Sequence, residues 1–209
     1  MRNPASGRRN LVFLAASWGI GLVLSGVAPY DRLIWALEVL PAVIALPILW
    51  LTRKHHPFST LVYALILVHG LVLMLGAAYT YARTPVGFLV QDWLQLERNP
   101  YDRFAHVVQG FVPALIAREL LIVRFGYGRG PMLNVIIVCI CVAISAFYEL
   151  IEWWGALAIG EGANAFLGTQ GDPRDTQADI FMALIGAIMA VVLLARAHDR
   201  SMAKRRGVT

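Results

Sequence analysis

The sequence predicts an all-α, polytopic membrane protein, a six-helix transmembrane bundle forming one integral membrane domain over residues 1–209. Three observations predict it. The chain is 58% hydrophobic and 15% charged, with a mean hydropathy of +0.63, whereas a soluble domain is nearer half apolar and about a quarter charged. Six apolar runs of about 20 residues each suit a hydrocarbon layer ~30 Å thick and leave only short loops. The basic residues, finally, are distributed one-sidedly over those loops.

The runs are taken in order. Leu11–Ala28 lies behind Arg2, Arg8 and Arg9; it is long for the apolar core of a signal peptide and reads as an uncleaved anchor. Leu33–Leu51 and Thr60–Tyr79 follow. Val86–Leu96, with Phe88, Leu89, Trp93 and Leu94, reads as a short helix lying on the outer leaflet. Phe104–Ile122, Met132–Trp154 and Thr176–Ala195 complete the set. Each crosses as a helix, because only a helix satisfies its own backbone in lipid as an open chain. Pro41, Pro47 and Pro113 fall inside spans and predict kinks rather than breaks. Gly21-x3-Ser25 and Gly186-x3-Ala190 are small-residue packing patterns. Cys139 and Cys141, two apart in mid-span, point to different faces and form neither a disulfide nor a metal pair.

Thirteen of the eighteen Lys and Arg residues fall on one side: Arg2, Arg8, Arg9, Arg53, Lys54, Arg118, Arg124, Arg129, Arg196, Arg200, Lys204, Arg205 and Arg206. The positive-inside rule then places both termini in the cytoplasm. The net charge of +5 is a topology signal and a contact with anionic headgroups. It is no nucleic-acid footprint, since the charges are scattered over four segments. Ten of the thirteen acids lie at or beyond the opposite boundary, a bias that topology does not require. Glu119 and Asp199 are inside, and Glu38 lies two turns into the second span.

Depth along the last three spans collects those acids. Counting from Arg118, His106 and Asp102 lie ~18 and ~24 Å up their helix. From Pro131, Glu149 and Glu152 lie ~27 and ~32 Å up; from Arg196, Asp179 and Asp175 lie ~26 and ~32 Å up. Within each helix the pair is spaced i,i+4 or i,i+3 and so shares a face, and Gln109 extends the Asp102/His106 stripe inward. Charges this deep cost about 3 kcal/mol each unless they face protein or water, which predicts one polar pocket on the outer side.

Five carboxylates and an imidazole cannot all stay charged together without a counter-charge. Protonation, pairing with Arg103 and Arg174, or a divalent ion such as Zn, Mg, Mn or Ca would each answer this. The metal reading uses Asp102, His106, Glu149, Asp175 and Asp179. In a catalytic reading, His106 or a metal activates water and Glu149 or Glu152 acts as base. The loop Glu161–Asp175 is a candidate lid, with Gln170, Arg174 and Gln177, beside Gln109, as candidate substrate contacts. Asp172 before Pro173 fits a helix N-cap, and Asp102 after Asn99-Pro100 fits one equally well. Glu149 and Glu152 before Trp153-Trp154 also fit an interfacial belt, and His69, alone in the third span, reads as a packing histidine.

Asn99-Pro100-Tyr101-Asp102-Arg103-Phe104-Ala105-His106, Tyr148-Glu149-Leu150-Ile151-Glu152-Trp153-Trp154 and the stretch from Gly168 to Asp179, GTQGDPRDTQAD, together resemble the YjdF-like bacterial inner-membrane family. The resemblance spans nearly the whole chain and implies an inner-membrane location with no assigned activity. A second similarity is to VanZ-like membrane proteins, which are linked with glycopeptide-antibiotic resistance. Asp102-Arg103-x-x-His106, Glu149, and Asp179 with Gly186 fit that pattern, with Arg103 in place of its Lys and Ala183 in place of its Asn.

Two functions stay open on these residues. One is a pocket protein of the inner membrane, enzyme or binder, that takes an envelope or lipid-linked ligand. The other is a proton- or cation-coupled carrier of a small solute. Neither a nucleophile motif nor a phosphate-binding glycine loop accompanies the acids, and the two halves of the chain carry no clear inverted repeat.

Overall fold

The computed structural model describes residues 4–160 and 169–206, and the side chains of 12–158, 160 and 169–205. The first part of the candidate lid, 161–168, with Glu161, therefore lies outside the described residues, as do the side chains of Arg2, Arg8 and Arg9.

Every element is a helix among the described residues. In order they are α1 (Pro4–Val27), α2 (Arg32–Glu38), α3 (Leu40–Thr52), α4 (Thr60–Ala78), α5 (Pro85–Leu94), α6 (Tyr101–Val123), α7 (Pro131–Ile159), α8 (Asp175–Leu193) and α9 (Ala195–Arg206). Among the described residues, five stretches are long and apolar enough to cross a membrane: Arg32–Thr52, Thr60–Ala78, Tyr101–Val123, Pro131–Ala158 and Asp175–Leu193. The apolar part of α1, Val12–Val27, is shorter than these, ~24 Å at 1.5 Å per residue. Large apolar side chains such as Phe13, Leu24, Leu51, Leu157 and Val192 are exposed along these helices, the surface a protein presents to lipid.

The prolines behave in two ways. Pro47 and Pro113 sit inside unbroken helices. At Pro41 the second span is interrupted instead: α2 ends at Glu38, and Val39 is the junction to α3. The ladder carries across it, with Val39 N–H donating to the Trp35 carbonyl and Val43 N–H to that of Val39, so the interruption stays local. Asp31 opens this span by capping it, its Oδ1 accepting from Leu33 and Ile34 N–H at 2.8 and 2.9 Å.

The core joins α1 to α3, α4, α6, α7 and α8 through Leu14, Trp18, Ile66, Met74, Leu115, Ile137 and Ala187, all buried. Its tightest junction is α6 against α8. A Cβ on Gly110 would fall 1.8 Å from the Ala183 carbonyl oxygen, and one on Gly186 would fall 2.0 Å from that of Val107. Both positions require glycine because backbone approaches backbone there, the membrane pattern of small residues between helices. Gly186 belongs to a small-residue pattern expected from the sequence; Gly110 has no such pattern of its own.

Two features lie beyond the sequence reading. After the last span the chain continues as α9, which packs back on α4, with Leu61 N–H donating to Ser201 Oγ at 3.2 Å. The turn after α4 carries Thr80 and Tyr81, both at positive φ (51° and 48°), strained for residues with a Cβ. Their conformation turns the Tyr81 ring in over Gly76, where a Cβ would meet it at 2.4 Å.

A candidate polar site at the acidic end of the bundle

The site begins with how α6 starts. Asn99, buried, accepts from Tyr101 N–H through Oδ1 (3.0 Å) and donates from Nδ2 to the Thr84 carbonyl (3.1 Å). Gln170 locks the same residue from the other side: its Oε1 accepts from Asn99 N–H (3.0 Å) and its Nε2 donates to the Asn99 carbonyl (3.1 Å). The N-cap position is Pro100, with no side-chain cap; Asn99 takes the first helical N–H, and Asp102 keeps its carboxylate for the bundle interior. Gln170, expected at a ligand, instead ties the loop before α8 to the loop before α6.

From that start, Asp102 and His106 project inward one turn apart on α6, both buried. Close packing of α6 on α8 brings Asp179 to them. One donor atom each from Asp102, His106 and Asp179 lie within 4.8 Å of one another. Glu149 of α7 completes the group, its Oε1 lying 3.8 Å from His106 Nε2, with Asp102 Oδ1 at 3.7 Å from the same nitrogen. These are too long for hydrogen bonds. His106 Nδ1 and Glu149 Oε1 are buried with no hydrogen-bond partner among the described residues.

The counter-charge comes from Arg103 and Arg98. Arg103 donates to Asp179 Oδ1 (3.1 Å), Asp175 Oδ1 (2.7 Å) and Asp172 Oδ2 (3.1 Å). Arg98 donates to Asp175 Oδ1 at 2.6 Å and lies 3.6 Å from Asp172 and 3.9 Å from Asp102. Asp175 is thus engaged by two guanidinium groups, while Asp102 and Asp179 are only partly compensated. Asp172 also accepts from Arg174 N–H at 2.9 Å, and that backbone bond, with Arg103, Arg98 and Arg174 beside it, holds its carboxyl below the usual range. Arg174 and Gln177, expected to contact a ligand, have exposed side chains. Arg98 joins Arg103 in compensating the buried acids, while Arg174 stands beside Asp172.

Two cavities flank this group. A vestibule of about 420 Å³ lies between α7 and α8, lined by Glu149, Glu152, Trp153, Asp175, Thr176 and Ile180. A smaller chamber of about 160 Å³ lies on the far side of α7, with Glu38, His69, Tyr81, Asp102, His106, Gln109, Tyr148 and Glu152 in its wall. Glu152 borders both. Glu38, His69, Tyr81 and Tyr148 are polar neighbours that the depth argument leaves out. Glu38 carried a usable signal, because fifteen residues before Arg53 put it ~22 Å up its helix, the level of the other acids. His69, expected as a packing histidine, stands in the chamber wall.

A second buried cluster occupies the opposite end. Glu119 accepts from Ser59 N–H through Oε1 (2.8 Å) and pairs through Oε2 with His198 Nε2 (2.9 Å). Arg118 Nη1 reaches His198 Nδ1 (3.3 Å) and Asp199 Oδ1 (2.9 Å), and Arg129 Nε donates to Asp199 at 3.0 Å. Arginine only donates, so His198 accepts at Nδ1 and donates from Nε2 to Glu119. This cluster fastens α9 to α4 and α6.

Spanning helices that bury carboxylates, an imidazole and their arginine partners at one end define a multi-pass, all-helical membrane protein with an internal polar site. The chain belongs to the DUF2238 family of predicted membrane proteins, whose model matches residues 10–200. It is 52% identical over 182 residues to the inner membrane protein YjdF of Escherichia coli strain K12, covering 87% of each chain. No solved structure matches it.

Proposed function

We propose that this is a six-span protein of the bacterial inner membrane, with both termini cytoplasmic, that holds a divalent ion in a periplasmic pocket and acts there on an envelope or lipid-linked ligand. The single observation carrying the metal reading is the convergence of Asp102, His106 and Asp179 within 4.8 Å. An imidazole with two carboxylates suits Zn²⁺ or Mn²⁺, and oxygen-rich completion by water would suit Mg²⁺ or Ca²⁺. Asp179 would ligate through Oδ2, since Arg103 engages Oδ1. Asp175, doubly paired, fits better as the anchor that positions Arg103 than as a ligand. Glu149, with an unpartnered oxygen beside His106, is the general base of a hydrolytic or transfer step. Glu152, on the boundary of both cavities, assists it or gates the approach. A ligand enters by the vestibule, beside Trp153.

Location is supported by the relative's name and by the basic bias of one end, and α1 is the sixth span. A carrier needs a polar connection to the other side. The stretch of α6 between Gln109 and Arg118 instead contributes Val112, Ala114 and Leu115 to the buried core, which favours an enzyme or binder working from one face.

Elemental analysis of detergent-purified protein tests the reading. Near-stoichiometric metal in the wild type, lost in His106→Ala and Asp179→Ala, is the expected result. Wild-type protein that holds no metal after chelator-free purification and metal re-addition overturns it. Reporter fusions after α9 and after α7 check the orientation.

A further inference from the structure

The chamber behind α7 is chemically different from the metal group in front of it. Glu38, His69 and Gln109 come into its wall from α2, α4 and α6, joined by the rings of Tyr81 and Tyr148 and by Glu152. Glu38 is 95% buried by virtue of its 5% exposure, and its Oε2 has no hydrogen-bond partner among the described residues. His69 Nε2 and His106 Nδ1 are buried and unpartnered in the same sense. Unpartnered buried polar atoms are costly, and native proteins retain them where something else completes them.

Three features narrow what completes them. The lining carries three carboxylates, Glu38, Asp102 and Glu152, and no lysine or arginine among the described residues, a composition that suits an occupant bringing positive charge. Among the described residues, Glu38 and His69 join no group of three donor atoms close enough to ligate one metal. A volume of about 160 Å³ is room for about five waters or a molecule of a few heavy atoms. Finally, the unpartnered atoms include acceptors, Glu38 Oε2 first among them, and acceptors favour an N–H-bearing cation over one that cannot donate.

We propose that this chamber is a second binding site and that it takes a primary ammonium group, carried either on a small free amine or on a lipid headgroup. Glu38 supplies the charge-assisted acceptor, His69 Nε2 supplies a neutral one, and Tyr81 and Tyr148 face the aliphatic carbons. Glu152, which borders the vestibule as well, is the side chain past which the group enters.

The chamber shares Asp102 and His106 with the metal group, but the amine reading rests on Glu38, and both can be measured on one preparation. Ethanolamine and choline are titrated calorimetrically into detergent-solubilised wild type, Glu38→Gln and Ala105→Leu, the last adding bulk to the chamber wall. In parallel, native mass spectrometry counts retained phosphatidylethanolamine, phosphatidylcholine and phosphatidylglycerol. The expected result is ethanolamine binding that exceeds choline binding and weakens about ten- to hundredfold in Glu38→Gln, the worth of one charge-assisted hydrogen bond, with metal content unchanged. Preferential retention of phosphatidylethanolamine, lost in Glu38→Gln, assigns the lipid as source; ethanolamine binding without it assigns the free amine. Wild type that binds neither ethanolamine nor phosphatidylethanolamine, or binds choline equally well, overturns the proposal, as does binding that both variants leave intact. Loss of the metal reading alone would leave all of these amine results standing.

Discussion

At the basic end of the bundle, both oxygens of buried Glu119 are engaged, by Ser59 N–H and His198, with Arg205 3.7 Å away. Asp199 there has two arginine partners. At the acidic end, Asp172 and Asp175 are similarly engaged, yet Glu38 and Glu149 each keep a buried oxygen without a partner. The first end resembles a fastening, whose charges are used up in holding α9 against the bundle. The second holds charge in reserve. The difference teaches how to separate structural from functional burial in lipid: ask which carboxylates are satisfied by their own chain.

That contrast can be broken by mutation, most strongly at the basic end. Glu119→Ala leaves His198 and Ser59 N–H without their acceptor, and breaking a buried pair in this way costs about 3–5 kcal/mol. The expected outcome is a large loss of thermal stability in detergent with α9 becoming protease-sensitive; near wild-type stability would dissolve the distinction between the ends. Gly110→Ala comes next. Its new Cβ would lie against the Ala183 carbonyl, and overpacking of this kind costs about 1–3 kcal/mol. Melting should fall and metal content with it, because the ligands stand on the two helices forced apart.

At the acidic end the sign changes. Glu149→Gln keeps the shape of a side chain whose Oε1 has no hydrogen-bond partner among the described residues, so stability should stay within about 0.5 kcal/mol of wild type or rise while activity or metal-dependent binding is lost. A melting curve beside a metal assay separates the two effects. The smallest effect is pH dependence of the fastening. Partial burial works against ionisation of Asp199, but the hydrogen bonds from Arg118 and Arg129 prevail and hold its carboxyl below the usual range. A lowered pKa contributes stability above the unfolded value of about 3.9 and loses it as pH falls through the folded value. Protection of α9 in hydrogen exchange should accordingly be flat from pH 7 to about 5 and decline only below about 4.

Much of this arrangement is legible in the sequence, and for a stated reason. Helical rise converts residue number into depth, so Asp102, His106, Glu149 and Asp179 can be put at one level without knowing how the helices meet. The i,i+3 and i,i+4 spacings do the same for direction, and the structure brings these four side chains together. What spacing does not carry is lateral adjacency. Arg98 lies before the helix and so outside any face argument; His69 and Tyr81 reach the chamber only because α4 and its strained turn pack beside α6. Asp102 fits a capping role on paper, and only in the structure does Asn99 Oδ1 take the Tyr101 N–H instead. The helical continuation after Leu194 is hidden for a different reason: its hydrophilic residues read as a tail until Glu119 provides a buried partner for His198.

The pair of glycine contacts between α6 and α8 has a mechanical consequence. Gly110 sits under the Ala183 carbonyl and Gly186 under that of Val107, each helix contributing one notch and one tooth a single turn apart. Sliding either helix by one residue, a 1.5 Å step, would drive a Cβ into a carbonyl oxygen. The spacing between His106 and Asp179 is therefore set by main chain against main chain, with a tolerance much finer than side-chain packing gives. Lipid-facing positions are free to drift in sequence without retuning the site, much as the casing of an instrument can be changed while its calibration stays in the gears.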